Sequence, residues 1–297
     1  MLNKTAMSAL SLVAMVPAAL AADVYLVSSG TTTPALENDQ LAINALVAGG
    51  HTVTPGVTYD QFNPANVDLT GIDVVYLQPS WNWEVGDMPL DGQQQLVDFI
   101  ENGGGLVTSE WTVWKSETGQ SFQLLAPLLP AGLAAPFSSL AEMTFEVDEA
   151  DPILNEDLED SFTFLLTSIQ GTHTILEPRP GATTYYTFIQ GDVERAGLVG
   201  TNAGCGRIAS FATVNAEAQL EDPNFATLLS NTINWAAEGA QVPGDATGNN
   251  QVNLEDLNLV LANFGQQTTV GDVTGDGFVD LEDLNLVLAN FGLSCPN

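Results

Sequence analysis

The C-terminal part of the chain repeats one short segment, and this duplication limits the possible fold more than any other feature of the sequence. "GDATGNNQVNLEDLNLVLANFG" begins at Gly244 and "GDVTGDGFVDLEDLNLVLANFG" begins at Gly271, an offset of 27 residues, with 17 of 22 positions identical. A repeat this short and this similar indicates one small structural unit that is used as a pair. We therefore expect the two copies to fold alike and to pack together or against a partner.

Each copy begins with oxygen-bearing side chains at alternate positions, the pattern of a cation-binding loop. The first, third, fifth, seventh, ninth and twelfth places are Asp245, Thr247, Asn249, Gln251, Asn253 and Asp256 in the first copy, and Asp272, Thr274, Asp276, Phe278, Asp280 and Asp283 in the second. In such a loop the seventh place offers its backbone carbonyl, and the twelfth closes a shell of roughly six to eight oxygens around a hard cation. The sequence predicts two bound calcium ions.

The second half of each copy, "LEDLNLVLANFG", has apolar residues at helical spacing. The predicted stripe is Leu254, Leu257, Val260, Leu261 and Phe264 in the first copy, and Leu281, Leu284, Val287, Leu288 and Phe291 in the second. Gly265 and Gly292 follow these stripes, where helices commonly end. The sequence therefore predicts two short amphipathic helices, one after each loop.

Residues 244–293 resemble the dockerin module, a pair of calcium-binding loop-and-helix repeats with Asp at the twelfth place. The resemblance implies calcium-dependent docking onto a cohesin-type protein on a scaffold or cell surface. Two features depart from the family: both copies have Thr at the third place, where Asn is usual, and Asn250 replaces the turn glycine that the second copy keeps as Gly277. Asn tolerates a positive φ better than other residues with a side chain, so the fold of the first loop is still expected.

Charge and the N-terminal sequence both indicate an exported protein. The chain has 37 acidic and 5 basic residues, a formal net charge of −32, which repels phosphate backbones and anionic lipid and argues against nucleic-acid partners. Lys4, an apolar run interrupted by Pro17, and a small-residue cleavage pattern ending at Ala21 predict a signal peptide over residues 1–21. No later stretch is long and apolar enough to predict membrane insertion. We expect an extracellular protein, secreted or attached to the cell surface.

Residues 22–240 alternate predicted strands and helices and so indicate an α/β domain. "DVYLVSS", "HTVTPGV", "IDVVYLQPS" and "LVTSEW" are predicted strands, with helices in "PALENDQLAINALVAGG" and "LDGQQQLVDFIENGGG". Further strands follow, and "NFATLLSNTINWAAEG" is predicted as the last helix. We expect a flavodoxin-like, mostly parallel sheet with helices on both faces, then a linker over residues 241–243, the small all-α module, and a tail over residues 294–297.

Three stretches of this domain are similar to the class I glutamine amidotransferase-like superfamily, especially its trehalose-utilisation-type relatives. They are "IDVVYL" at residues 72–77, "LVDFIENGGGLV" at residues 96–107, and "GRIASFA" with "NFATLLSNTINWA" within residues 206–236. In that superfamily the strand corresponding to "GLVTSEW" leads into an elbow with a nucleophilic Cys. Here the elbow residues are Ser109, Glu110 and Trp111, so amidotransferase activity is not expected.

The remaining candidates for nucleophilic chemistry are few. Cys205 lies in a turn outside the elbow, His51 is expected at the opposite end of the sheet in a structural role, and His173 is expected in a surface loop. The exported setting permits a disulfide, but the sequence leaves open whether Cys205 and Cys295 pair.

Four of the five tryptophans follow two predicted strands at the edge where open parallel sheets bind ligands. They are Trp81, Trp83, Trp111 and Trp114, and they alternate with charged residues that include Glu84 and Glu110. Flat aromatic faces beside carboxylates and hydroxyls suit a sugar ring, whereas the same tryptophans can also pack beneath loops. If Glu84 and Glu110 lay about 5 to 9.5 Å apart they would form a glycosidase pair.

Three hypotheses for the function stay open at this point. The first is a secreted, calcium-binding, dockerin-bearing protein whose α/β domain binds a carbohydrate without amidotransferase chemistry. The second is a polysaccharide-active hydrolase that uses carboxylates near the tryptophans. The third is a structural surface protein. A carboxyl group with a raised pKa in an aromatic pocket would favour the hydrolase.

Overall fold

The structure is a computed structural model that describes residues 21–79, 86–167, 171–239 and 242–295. The predicted signal peptide lies outside these ranges except for its last residue. Within them, no helix combines the length and the apolar character needed to cross a membrane.

The described residues form strands and helices in an order that begins as an alternating α/β chain. The strands are β1 (Asp23–Ser28), β2 (Thr52–Thr58), β3 (Val74–Leu77), β4 (Gly105–Thr108), β5 (Ala131–Ser138), β6 (Glu142–Val147), β7 (Ser161–Leu165), β8 (His173–Pro178), β9 (Thr183–Gln190), β10 (Val193–Ala203) and β11 (Gly206–Phe211). The helices are α1 (Thr33–Ala48), α2 (Leu90–Glu101), α3 (Glu110–Glu117), α4 (Glu217–Leu220), α5 (Pro223–Ala237), α6 (Leu254–Asn263) and α7 (Leu281–Ala289).

One sheet contains all these strands, and half of it is the predicted parallel sheet. The order runs β2-β1-β3-β4-β11-β10-β9-β6-β7, with β8 paired to β10 and β5 paired to β8. The pairs among β2, β1, β3, β4 and β11 are parallel. With β11 in the fifth place, this half has the flavodoxin-like order 2-1-3-4-5, so that part of the prediction is confirmed.

The other half of the sheet is antiparallel, which corrects the expectation of a mostly parallel sheet. Strands β5 to β10 are inserted between α3 and β11, and every pair that they form is antiparallel. Two-residue hairpin turns join β9 to β10 and β10 to β11, and antiparallel strands allow such short connections. The strand-rich composition of this segment was visible in the sequence, but β5 and β7 were not predicted.

Burial explains how the parallel strands are covered. All residues of β3, β4 and β11 are buried, and successive side chains of a strand point to opposite faces, so both faces of the sheet are covered. Helices α1 and α5 contact each other over the sheet, and α2 packs against β4 and β11. Asp222 caps the N-terminus of α5 by accepting hydrogen bonds from two backbone amides, and Pro223 occupies the first helical position.

Residues 242–295 have a small core of their own. It consists of five buried valines, Val242, Val252, Val260, Val279 and Val287, with Leu257 and Leu284 packed against them. The rest of the predicted apolar stripe does not enter this core. Leu254, Leu261, Phe264, Leu281, Leu288 and Phe291 are exposed.

A disulfide joins this small unit to the α/β domain. Cys295, next to the end of the described chain, is bonded to Cys205 in the turn between β10 and β11. The sequence had left this pairing open.

Candidate functional site

The first predicted cation loop is organised around the carboxylate of Asp245. Its Oδ1 accepts a hydrogen bond from the backbone N–H of Gly248 at 2.8 Å, and its Oδ2 accepts one from Asn250 at 2.6 Å. Thr247 Oγ1 donates to this carboxylate at 3.2 Å and also lies 2.9 Å from Asp256 Oδ1. The first, third and twelfth places of the loop are therefore brought together around one point.

Asp256 closes this loop, and its side chain is fully buried. Burial alone would raise the pKa of this carboxyl, but hydrogen bonds from the backbone of Asn253 and from Thr247 hold the pKa below its ordinary value. The group therefore stays ionised although it is enclosed, as a cation ligand requires.

The second loop repeats this arrangement residue by residue. Asp272 accepts from the backbone of Gly275 and Gly277, each at 2.8 Å. Thr274 Oγ1 lies 3.3 Å from Asp272 Oδ1 and 3.1 Å from Asp283 Oδ1. Asp283 is also fully buried; burial would raise its pKa, and the hydrogen bonds that it accepts keep the pKa below its ordinary value.

The other predicted ligands have equivalent roles in the two loops. Asn249 and Asp276 each accept from the backbone two residues on, and Asn253 and Asp280 cap α6 and α7 in capping boxes. The remaining predicted positions, Gln251 and Phe278, have exposed side chains, which leaves their backbone carbonyls as the possible ligands. Among the described residues no group of three or more His, Cys, Asp and Glu side chains could hold a metal. Each loop instead combines two carboxylates with a hydroxyl, an oxygen-only set suited to a hard cation.

The two halves of the unit also pair symmetrically through their backbones. Val252 in the first loop exchanges hydrogen bonds with residues 292–293, which follow α7, and Val279 in the second loop does so with residues 265–266, which follow α6. Each loop is thus held by the chain that leaves the other helix.

The second candidate site is a buried polar cluster at the carboxyl ends of the parallel strands. At the end of β1, Ser28 Oγ donates to Asp39 of α1 at 2.6 Å, and the Ser29 amide donates to the same carboxylate at 2.9 Å. At the end of β3, the Tyr76 hydroxyl donates to Gln78 Oε1 at 3.1 Å. Burial raises the pKa of Tyr76, and a hydrogen bond with the side chain of Asn215, which follows the end of β11, partly opposes the shift. The cluster therefore joins three strand ends.

Glu110 is the central titratable group of this cluster. It is the first residue of α3, directly after β4 and Ser109, and it is fully buried. Within the part of the chain that the structure describes, both of its carboxyl oxygens lack a hydrogen-bond partner, as do Ser109 Oγ and Gln78 Nε2. Burial raises the pKa of the Glu110 carboxyl well above its ordinary value, although the backbone amides of Glu110 and Trp111 partly oppose the shift. The shift favours the protonated form of Glu110, which can donate a proton or a hydrogen bond.

Of the four tryptophans predicted to form a platform, Trp111 and Trp114 are described, and they lie beside this cluster. Trp111 is buried and contacts Trp114 at 5.2 Å and Phe137 at 5.6 Å between ring centroids. Trp114 is half-buried at the edge of the same aromatic group. Both are on α3, a helix that the sequence analysis had not predicted because "SEW" was assigned to the preceding strand. Trp81, Trp83 and Glu84 lie outside the described residues, so the predicted four-tryptophan platform and the Glu84–Glu110 separation stay predictions.

The two histidines have structural partners. His51 Nδ1 accepts from the Ala22 amide and Nε2 lies 3.0 Å from Ser230 Oγ, at the end of the sheet away from Glu110, as predicted. His173 is fully buried rather than exposed, so its assignment to a surface loop was wrong; Thr172 and Gln190 hydrogen-bond to its ring. Burial lowers the pKa of both imidazoles, so they are neutral at neutral pH.

Sequence reasoning missed several members of the polar cluster, including Tyr76, Gln78 and Asn215. The available signal was a polar residue directly after an apolar strand, as in "VVYLQ" and "FATVN". Such residues end buried strands at the edge where ligands bind in parallel sheets.

Neither a family model nor a curated protein matches the sequence. Solved structures do share its fold. A cytoplasmic protein from Salmonella typhimurium has a TM-score of 0.53 at 15% identity, covering 74% of this chain and 100% of its own. A ThuA-like protein from Bacteroides uniformis has a TM-score of 0.52 at 11% identity, covering 72% of this chain and 90% of its own.

A second ThuA-like protein, from Parabacteroides merdae, has a TM-score of 0.52 at 13% identity and covers 76% of this chain and 94% of its own. The chain has an α/β fold like that of the ThuA-like proteins. At these identities the likeness concerns the fold alone.

Proposed function

We propose that this chain is an exported protein with a dockerin-like, calcium-binding module at its C-terminus and a carbohydrate-binding α/β domain. The observation that carries the proposal is the equivalence of the two loops. In each loop a buried closing aspartate and a first-place aspartate meet at one threonine hydroxyl. The same oxygen atoms face inward in two separate segments. This is better explained by two loops that bind the same kind of ligand than by two turns that bind nothing.

The residues fit calcium. Asp245, Thr247, Asn249 and Asp256, with the backbone carbonyl of Gln251, would hold one ion in the first loop, and the equivalent residues of the second loop would hold another. The positive φ of Asn250, 60°, and of Gly277, 88°, provides the sharp turn that wraps such a loop around a cation. Bound calcium would supply the positive charge that offsets the two or more carboxylates facing each other.

The exposed apolar residues of the module support a protein partner. Leu254 is 63% exposed and its equivalent Leu281 is 62% exposed, so the two halves present matching apolar surfaces. Exposed apolar patches of this kind mark interaction sites. We assign the partner to the cohesin type, because the module resembles dockerins, and this predicts that docking depends on calcium.

Calorimetry on the full protein tests the calcium sites. The first loop offers two carboxylates, Asp245 and Asp256, whereas the second offers four, because Asp276 and Asp280 replace Asn249 and Asn253. Affinity rises with ligand charge, so the second loop should bind first and about tenfold or more tighter. Asp272→Ala should remove the tighter site and Asp245→Ala the weaker one.

Glu282→Gln serves as the matched control, since Glu282 neighbours Asp283 but is exposed and outside the ligand positions. It should leave both sites in place. An Asp272→Ala chain that keeps the tighter site, with Asp245→Ala losing it, would contradict the charge argument. A wild-type chain that takes up no calcium would refute the proposed function.

For the α/β domain, fluorescence distinguishes carbohydrate binding from a structural role. Soluble polysaccharides should change the tryptophan emission of the wild-type protein, and Trp81→Ala with Trp114→Ala, which spares the buried Trp111, should abolish the change. If no glycan moves the spectrum, the tryptophans serve packing and the protein is better described as a structural surface protein.

A polysaccharide hydrolase is the second candidate, and the neutral Glu110 favours it. A carboxylic acid with a raised pKa beside an aromatic group is the usual general acid of glycosidases. Release of reducing sugars from a panel of polysaccharides, lost in Glu110→Gln, would establish this alternative. Release that is unchanged in Glu110→Gln would exclude Glu110 from catalysis.

A further inference from the structure

The symmetry of the C-terminal module is broken at one end of the first loop. Beyond residues 292–293 the tail continues along this loop: Ser294 bridges to Gln251, and the Cys295 amide donates to the Asn250 carbonyl at 2.8 Å. Cys295 is then bonded to Cys205 of the α/β domain. The residue equivalent to Cys295 in the first copy is Thr268, whose hydroxyl accepts from Val270 two residues on. The two loops are thus fastened differently.

The anchor in the α/β domain is a tightly packed turn. The Cys205 amide donates to the carbonyl of Glu101 at the end of α2. A Cβ added at Gly204 would lie 2.7 Å from Glu101 Cα, and one at Gly206 would lie 2.1 Å from the Gly104 carbonyl oxygen. At Gly204 and Gly206 the backbone of the turn packs directly on the backbone of residues 101 and 104. The turn that carries Cys205 therefore has little room to move.

The first loop, which the disulfide holds, also has the less favourable backbone conformation. Asn250 stands at the sharp turn with φ of 60°, a conformation that costs energy in a residue with a side chain, whereas the second loop has Gly277 there. The tail bonds to the carbonyl of this same Asn250. The first loop also has fewer carboxylates to attract a cation.

We infer that the Cys205–Cys295 disulfide positions the first cation loop, holding Asn250 and the residues beside it in the binding conformation. The inference rests on the proposed calcium binding. A loop that is already ordered loses less conformational freedom when it binds, so the disulfide raises the affinity of the first site. The second loop is held only by contacts within the module, so the calcium affinity of the second site should not depend on the disulfide.

The disulfide lies next to solvent in the folded protein. Both cysteines are half-buried and border an open cleft of about 650 Å³ between α2 and the first loop. A reductant therefore reaches the bond in the folded protein.

Calorimetry with each site isolated tests this assignment in the full chain. Asp283→Asn leaves only the first site, and Asp256→Asn leaves only the second. Calcium chloride is titrated into each variant with the disulfide intact and after reduction. Reduction should weaken the first site at least about tenfold and change the second less than about twofold. Repeating the comparison in Cys205→Ser/Cys295→Ser chains excludes a direct effect of the reductant on calcium.

Amide hydrogen exchange on the calcium-free protein gives a readout that does not depend on metal. Breaking the disulfide should speed exchange at residues 250–252 and leave the equivalent residues 277–279 unchanged. Equal weakening of both calcium sites, or equal change in exchange at both segments, would show a general stabilising role and overturn the inference. So would no change at the first loop.

The result separates this inference from the proposed function. If the oxidised chain binds no calcium at either site, the proposed function fails and the inferred effect on affinity fails with it. If calcium binds at both sites but reduction affects them alike, only the inference fails.

Discussion

Glu110 illustrates how one residue can carry information about the site. The carboxyl group is fully buried, its oxygens have no hydrogen-bond partner among the described residues, and burial raises its pKa well above the ordinary value of 4.5. Below pH 4.5 the Glu110 carboxyl is protonated in both the folded and the unfolded chain, so it has no effect on the free energy of unfolding. As the pH rises further, the unfolded chain releases the proton while the folded chain retains it, and stability is lost.

Glu110→Gln should remove this pH dependence. Between pH 4.5 and the raised pKa, the wild type should lose about 1.4 kcal/mol of unfolding free energy per pH unit relative to the variant. Urea unfolding at pH 4 to 8 measures the difference. Glu221→Gln, at an exposed glutamate, is the control and should follow the wild-type curve. Parallel curves for Glu110→Gln and wild type would mean that Glu110 is ionised in the folded protein.

At the scale of a single element, α3 positions Trp111 and Trp114 near the ends of the parallel strands. Trp111 is 2% exposed and packs on Val214 and Ala216, whereas Trp114 covers the edge of the group. Trp111→Ala should therefore cost about 3 to 5 kcal/mol of stability, and Trp114→Ala clearly less. Denaturant unfolding of both variants tests this order. A loss at Trp114 equal to that at Trp111 would show that the two side chains are equally enclosed.

The same helix shows where sequence reasoning stops. The apolar runs at β1, β3 and β4 and the stripes of α2 and α5 were predicted, because burial on two faces or one face leaves a periodic pattern. The predicted strand "LVTSEW" ran to Trp111, but the chain is helical from Glu110 onward, where it packs against β5 and β8. Tertiary contacts overrode local propensity. The contacts within each loop join residues that are close in sequence, so their spacing can be read locally, whereas the polar cluster around Glu110 joins residues from distant strands.

At the scale of the whole molecule, the formal net charge of −32 makes folding sensitive to salt. Like charges repel more strongly in the compact state, and the screening length falls to about 10 Å at 0.1 M salt. In a calcium-free buffer, raising sodium chloride from 0.02 to 0.3 M (approximate values) should raise Tm by several degrees. Calorimetric scans measure it, with sucrose as an uncharged control. A Tm that is constant or falls with salt would show that self-repulsion does not limit stability.

The covalent loop closed by Cys205 and Cys295 also has a mechanical meaning. The loop spans 90 residues and includes β11, α5 and both repeats. If a surface-bound partner pulls on the module, tension enters the α/β domain along two covalent routes, one through α5 and one through Cys295. A force that pulls α5 and then the central strand β11 away from the sheet would also be opposed by the covalent link through Cys295. Under load the repeats should therefore extend while the sheet stays intact, and a reduced chain should lose that protection.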